Sequence, residues 1–290
     1  MASPPPTAAT GGSPGGTGSS SKMSRYDLIN RSEKGTSAAG LLTFVGLRAL
    51  DPFLQYKILA GGWGAAVLSR LGLAVVAGQP AARTGVSLID GLGLSLPQLV
   101  VLAMAVGSVA KQVFWVAYLN NEVFGPGPAA VVTVYNALFN SANSLMLTAA
   151  ATSAALYAGA GGVRIPGLGF LPLPVAAGAA LYAAGVTAET AAELQRKRFK
   201  DDPANRGRIC DRGLWGLVRH ANYAGYAVWR AGYCLASGGL AALFTVGMQP
   251  FVDFSTRAIP TMDEYMTGRY GERWAQYKRD VPYRLIPGLW

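Results

Sequence analysis

Charged residues are scarce in this sequence of 290 residues, where they make up 14% of the chain. Ordinary soluble domains carry about 25%. Hydrophobic residues make up 51% and occur in long blocks of Ala, Gly, Leu and Val. These blocks lack the short alternation of half-buried strands and so predict helices in lipid. The predicted fold class is all-α, a polytopic membrane bundle of about five to seven spans with a cytosol-facing C-terminal pocket.

Cysteine and histidine are almost absent. Cys210 lies in a basic loop, Cys234 lies in an apolar run, and His220 is the single histidine. This composition excludes a disulfide framework and a multi-histidine metal site, and we predict no metal. The sequence also has no P-loop and no GxGxxG motif after a strand, which excludes Rossmann and kinase-type sites.

The net charge of +10 does not indicate a nucleic-acid partner. The basic residues lie beside apolar blocks, and no zinc-finger, helix-turn-helix or RNA-binding motif accompanies them. Cytosolic segments that flank membrane helices account for the excess. We therefore expect an integral membrane protein that binds no nucleic acid.

The sequence divides into three regions. Residues 1–35 are a low-complexity tail that we expect to be disordered. Residues 36–188 are predicted to form the N-terminal membrane helices, and residues 189–290 a C-terminal unit. The apolar blocks, some of them interrupted, are Leu41–Leu59, broken at Asp51-Pro52; Gly61–Gly78; Leu96–Leu119; Ala129–Ala160; Phe170–Thr187; and Tyr223–Phe254, broken at Ser237–Gly239 into a predicted hairpin.

Polar residues at helical spacing mark two of the blocks. Lys111, Trp115, Tyr118 and Glu122 recur at intervals of four, three and four, which predicts one helical face that could line a cavity. The simpler alternative for Lys111 is a side chain that reaches for the membrane surface. In the next block, Asn136, Asn140 and Asn143 are spaced to join helices or to contact a ligand.

Three segments are predicted to share the cytosolic side. Phe170–Thr187 continues without a helix breaker into the basic segment Glu189–Lys200. The second segment is Gly213–Tyr226, GLWGLVRHANYAGY, and the third is the aromatic and basic tail Thr261–Trp290. Arginine forks, flat rings and glycines suit a large anionic ligand with a ring, such as a dinucleotide or an adenosyl cofactor. The alternative is that Arg219 and His220 merely flank a membrane helix.

The motifs of these segments resemble the C-terminal signature of the steroid 5-alpha-reductase and sterol-reductase superfamily. They are ELQRKRFK (Glu193–Lys200), Gly213–Tyr226 with Trp229, RAIPTMDE (Arg257–Glu264) and RYGERWAQYKRDVPYRLIPGLW (Arg269–Trp290). The tail is most similar to the sterol C-14 and C-7 reductases, and ELQRKRFK and RAIPTMDE are similar to the bacterial and fungal branch of the same superfamily. The resemblance implies NADPH-dependent reduction of a carbon–carbon double bond in a sterol, steroid or related lipid, in the endoplasmic-reticulum membrane with the C-terminal segment cytosolic.

The resemblance also assigns residues by position. Those implied to bind the cofactor are Arg196, Lys200, Trp215, Arg219, His220, Asn222, Tyr223, Asp263, Arg269, Tyr270, Tyr277 and Arg284. Tyr226 departs from the pattern, because the family normally has Asp or Glu after Asn-Tyr-x-Gly. For the proton donor, Tyr118 with Glu122 is the candidate from the helical spacing, and Asp263 is the candidate from the motifs.

Two other functions stay open. Membrane methyltransferases of the isoprenylcysteine type carry a similar Arg-His-x-x-Tyr motif and use S-adenosylmethionine. A non-catalytic membrane protein that binds a lipid or a nucleotide is also compatible with Tyr226. Asn222 and the VPYRLIPG ending at Val281–Gly288 favour the reductase.

Overall fold

The computed structural model describes residues 30–290 except 158 and 160, and these residues are mostly helical. Most of the tail that we expect to be disordered lies outside them, but residues 30–34, near its end, form strand β1 (Asn30–Lys34). The α-helices are α1 (Ala38–Ala49), α2 (Asp51–Leu59), α3 (Trp63–Arg70), α4 (Ser87–Asp90), α5 (Leu96–Phe114), α6 (Pro126–Thr148), α7 (Leu173–Asp201), α8 (Ala221–Ala242), α9 (Gln249–Asp253), α10 (Ile259–Tyr270) and α11 (Glu272–Asp280).

The remaining regular structure is short. β1 pairs with β2 (Glu122–Val123), and β3 (Gly162–Ile165) pairs with β4 (Gly169–Pro172), both antiparallel. The π-helical turns are Trp115–Leu119, Leu243–Gly247 and Phe254–Ala258, and a 3-10 turn covers Gly213–Gly216.

Two helical segments of the described residues are long and apolar enough to cross a membrane. They are Leu96–Leu119, with a mean hydropathy of 1.9, and Ala221–Tyr270, with 1.4. The predicted block Leu41–Leu59 is divided between α1 and α2, because Pro52 in the first turn of α2 cannot continue the preceding helix. In Gly61–Gly78 only the eight residues of α3 are helical. The larger number of spans stays a prediction.

The segment Ala221–Tyr270 is a hairpin, as its glycines predict. Gly239 has a positive φ of 65°, which interrupts the helix. The chain then turns back, so that Gly247 packs against Ala231 and Cys234. The first arm, residues 221–237, therefore lies beside residues 240–254 of the second arm, which extends to residue 270.

Helix α7 is continuous over 29 residues, so the predicted passage from the apolar block into the basic segment is confirmed. It packs against α8 along glycines of both helices. A Cβ at Gly185 would lie 2.4 Å from the backbone nitrogen of Trp229, and one at Gly225 would lie 2.5 Å from that of Glu189. This close approach requires glycine, and it places Glu189–Lys200 beside Gly213–Tyr226.

Two of the three asparagines of α6, Asn136 and Asn140, join helices, which is the first of the two predicted roles, and Asn143 donates to Phe139 within α6. Asn140 Nδ2 donates to Asp51 Oδ2 on α2 at 2.6 Å and to Ser108 Oγ on α5 at 3.3 Å. Asn136 Oδ1 accepts from Gln112 Nε2 on α5 at 2.7 Å. Hydrogen bonds made by side-chain amides hold helices together where no water competes for them.

Candidate functional site

The three predicted cytosolic segments meet at Trp215. Its indole Nε1 donates to the carbonyl of Ala192 on α7 at 2.8 Å, and its own carbonyl accepts from Tyr277 Oη on α11 at 2.6 Å. Both aromatic side chains are buried, and burial raises the pKa of Tyr277. Their polar atoms are thus used to assemble the site, and only ring faces are left for a ligand.

Arg219 and His220 hold the C-terminal tail. The Arg219 guanidinium donates to the carbonyls of Val281 and Pro282 at 2.7 and 2.8 Å. The backbone nitrogens of Arg219 and His220 donate to the carbonyls of Tyr283 and Arg284. Desolvation, reinforced by Arg219, lowers the pKa of His220 to about 4, so this imidazole is neutral at pH 7.

The Arg196 guanidinium lies over the Trp215 ring, 5.4 Å from its centroid. Its side chain is 44% exposed and is 3.5 Å from the buried carboxylate of Glu193. The same carboxylate accepts from Asn222 Nδ2 at 3.1 Å. Arg196, Trp215 and Asn222 are thus brought together, with Glu193 as the connecting residue that the motif analysis did not single out.

An aromatic stack begins at His220. The Tyr223 ring lies 5.4 Å from the His220 ring and 4.5 Å from the Phe254 ring on the second arm, nearly parallel to both. Phe254 also meets Tyr226 edge to face. The stack gives the site a flat apolar wall at the start of α8.

The other predicted cofactor residues lie around this centre. Lys200 Nζ is 3.2 Å from Tyr270 Oη, and Arg269 lies over the Tyr270 ring. Asp263 accepts from Trp274 Nε1 at 2.7 Å and pairs with Lys278 at 3.0 Å. Arg284 is exposed and lies over the Trp290 ring.

The predicted helical face that joins Tyr118 to Glu122 is wrong. The helix ends at Leu119, because Asn120 adopts an extended backbone and exchanges hydrogen bonds with the backbone of Glu122. Glu122 belongs to β2, opposite Lys34. Tyr118 is 54% exposed, with Lys197 Nζ 5.3 Å from its ring centroid, which leaves it at the edge of the basic segment.

A polar path leads from the site into the bundle. One helical turn below Glu193, the buried Glu189 pairs with Lys111 on α5 and accepts from Trp229 Nε1 at 2.7 Å. Lys111 is therefore paired inside the bundle and does not extend to the membrane surface. Glu189 and Glu193 could have been identified from their spacing of four in α7.

The arrangement combines exposed cations, ring faces and a buried acid. Arg196, Lys200 and Arg284 can bind phosphate groups, and the wall formed by Tyr223 can hold a planar ring. Glu193 and Glu189, one helical turn apart on α7, lie between this surface and the interior of the bundle. In the part of the chain that the structure describes, no three His, Cys, Asp or Glu side chains are grouped to hold a metal.

Comparison with known proteins gives matches that cover different lengths of this chain. The family described as a protein of unknown function, DUF1295, matches residues 146–281. The probable O-methyltransferase ustE of Ustilaginoidea virens is 36% identical over 254 residues, which is 87% of either chain.

Sterol reductases match a shorter part. The probable 7-dehydrocholesterol reductase of Acanthamoeba polyphaga mimivirus is 39% identical over 82 residues, 27% of this chain and 17% of the relative. The Delta(14)-sterol reductase of Methylotuvimicrobium alcaliphilum is 26% identical over 126 residues, 38% of this chain and 29% of the relative. The resemblance to sterol reductases is confirmed, and this chain belongs to the DUF1295 family.

Proposed function

We propose that this protein is a membrane-embedded reductase that uses NADPH to reduce a carbon–carbon double bond in a sterol, steroid or related lipid. The observation that carries the proposal is the similarity to sterol reductases together with the assembly around Trp215. NADPH would supply the hydride, and the chain would supply binding, orientation and a proton.

The charge of the site favours NADPH over S-adenosylmethionine. From Glu193 to Arg219 the chain has eight Lys or Arg residues and four Asp or Glu residues. An excess of cations suits the phosphate groups of NADPH, whereas S-adenosylmethionine carries a positive sulfonium. Arg196, Lys200 and Arg284 are the proposed phosphate ligands, with Arg269 and Tyr270 at the adenosine end.

The nicotinamide end is proposed to lie at Asn222 and Tyr223, where α8 begins. Glu193 holds the Asn222 amide in place, which leaves its Oδ1 to accept a hydrogen bond. The lipid would enter from the membrane. This placement requires the C-terminal segment to be cytosolic, and the endoplasmic reticulum is the membrane implied by the family.

Tyr118 is the preferred proton donor. Asp263 is paired with Lys278, which favours its ionised form and makes it a poor acid. Glu122 is separated from Tyr118 by the end of the helix. A Tyr118→Phe variant is expected to lose turnover while it keeps its affinity for NADPH.

An O-methyltransferase is the second candidate, and the relative that matches over 87% of either chain favours it. The two functions differ in the cofactor. Purified protein is heated with NADPH, NADH or S-adenosylmethionine, and the shift in unfolding temperature is recorded. Protection by NADPH and its oxidation with a lipid enone support the reductase. Protection by S-adenosylmethionine alone overturns it, and binding of NADPH without turnover on any lipid supports the non-catalytic alternative.

A matched pair of variants locates the cofactor. Arg196→Gln is expected to weaken NADPH binding about tenfold, the effect of about 1.4 kcal/mol. Arg212→Gln removes a charge from a side chain that is 78% exposed and 4.0 Å from its partner Asp211. Equal affinities of the two variants would contradict the proposed site.

A further inference from the structure

Arg230 is an unbalanced positive charge inside the bundle. It lies on the first arm of the hairpin and has 0% relative exposure. Its Nε donates to Tyr226 Oη at 3.0 Å, and its Nη2 donates to Asn136 Oδ1 on α6. Its Nη1 is buried and has no partner among the described residues. Both of its hydrogen-bond acceptors are neutral.

Two other buried cations of the described residues have carboxylate partners, whereas the buried Arg219 donates to two backbone carbonyls at the edge of the tail. Arg48 pairs with Asp51 at 3.2 Å, and Lys111 pairs with Glu189. Within the described chain, no carboxylate oxygen lies within the 4.0 Å of a salt bridge from Arg230. An isolated buried charge is unfavourable in a low-dielectric interior, and an ionisable group in a membrane segment marks a functional site by default.

Aromatic rings enclose the Arg230 guanidinium. Its Cζ lies 4.2 Å from the Phe139 centroid, 4.3 Å from that of Trp229 and 5.2 Å from that of Tyr226. Cation–π contacts stabilise the charge in part, but they leave Nη1 without an acceptor. The guanidinium is thus surrounded by aromatic rings and two neutral acceptors, and Nη1 is its remaining donor, unpartnered in the described part of the chain.

The aromatic rings around Arg230 reach the outside of the bundle. Tyr135, whose ring centroid is 6.0 Å from Cζ, is 44% exposed, and Phe139 and Tyr226 are half-buried. These three rings lie between α6 and the hairpin. An apolar molecule could therefore reach Arg230 from the membrane by displacing ring edges, without crossing the cytosolic site.

We propose that Arg230 binds the carboxylate of an otherwise apolar molecule that enters from the membrane between α6 and α8. The single positive charge requires one negative charge, and the planar guanidinium matches a planar carboxylate. The aromatic wall accommodates the apolar body. Tyr226 borders both this binding site and the aromatic stack, but Arg230 is none of the proposed cofactor ligands, so the inference holds for either proposed reaction.

The test uses three twelve-carbon probes without any cofactor. Dodecanoate, methyl dodecanoate and dodecanol are added to the full-length protein below micellar concentrations, and the unfolding temperature is recorded. We expect dodecanoate to raise it and the two uncharged probes to leave it unchanged. Equal protection by all three would overturn the proposal, because the chain length and not the charge would then be recognised.

Variants test the residue. Arg230→Met is expected to bind dodecanoate at least tenfold more weakly, whereas Arg70→Met, which removes an exposed charge at the end of α3, keeps the affinity of the natural protein. Retained binding by Arg230→Met would contradict the site. If that variant does not fold, Arg230→Lys is used, which keeps the charge and must keep the preference for dodecanoate over its ester.

Discussion

Trp229 and Glu189 are joined by a 2.7 Å hydrogen bond from indole to carboxylate, and the same carboxylate pairs with Lys111. Three helices therefore meet at one buried acid, because Lys111 lies on α5, Glu189 on α7 and Trp229 on α8. The ion pair is nearly inaccessible to solvent, with 8% exposure of either side chain. Such a pair is sensitive to the loss of one partner.

We predict that Lys111→Met destabilises the protein by about 3 kcal/mol, because it leaves the Glu189 carboxylate buried without a cation. The double variant Lys111→Met/Glu189→Gln is expected to recover most of this loss, since glutamine keeps an acceptor for Trp229. Denaturant unfolding in detergent measures both. If the single and the double variant are equally unstable, the unpaired Glu189 carboxylate is not the cause of the lost stability.

The glycine contact between α7 and α8 gives a steric prediction. Gly185→Ala places a methyl group 2.4 Å from the backbone nitrogen of Trp229, so we expect a loss of about 3 kcal/mol. Gly46→Ala in α1 is the control, because no atom lies within 4 Å of its added methyl. Helix propensity predicts a neutral or slightly favourable effect there. Unfolding followed with a thiol-reactive dye that reports Cys210 and Cys234 compares the two.

The low pKa of His220 is expected to make the free energy of unfolding depend on pH. Its pKa is lowered to about 4 in the folded protein, whereas an ordinary histidine has about 6.5. Above pH 6.5 the imidazole is neutral in both states and contributes no slope. Below that pH the unfolded chain binds the proton first, so the free energy of unfolding falls by up to about 1.4 kcal/mol per pH unit until about pH 4. His220→Gln is expected to lack this part of the profile; identical profiles would exclude His220 as the cause.

We predict that Arg219 contributes mainly to stability and that Arg284 contributes mainly to NADPH binding. Arg219→Met removes two hydrogen bonds to the tail, and we expect a loss of about 2 kcal/mol and faster proteolysis of the last ten residues. Arg284→Met is expected to change stability by less than about 0.5 kcal/mol, since its side chain is exposed, but to weaken NADPH binding. Mass spectrometry of limited digests, with NADPH titrations alongside, distinguishes these outcomes.

The sequence predicted the helices where local patterns decide the structure. The run Phe170–Lys200 contains Pro172 and Pro174 only at its start, so one long helix follows from its composition. The Gly238-Gly239 pair likewise predicts the turn of the hairpin. Helical spacing failed beyond Leu119, because side-chain bonds from Asn120 to the backbone compete with the helix there.

The roles of the site residues were harder to predict. A tryptophan in a ligand-binding motif can face the ligand or donate to the backbone, and only the contacts of Trp215 show that its Nε1 donates to Ala192. Arg230 lies in an apolar run, and the sequence did not predict a role for it. That role depends on the absence of a carboxylate beside it among the described residues, which only the structure shows. Tyr226, the departure from the family pattern, lies four residues before Arg230 on the same helix, so helical spacing alone could have indicated their contact.

The glycines between α7 and α8 also restrict motion. Neither helix can slide along the other without forcing larger side chains into a space that accommodates only hydrogen atoms. The pair of α7 and α8 therefore moves as one rigid body. The part that can open and close during a reaction cycle is then the C-terminal tail, which is held by a few hydrogen bonds at Trp215, Arg219 and His220.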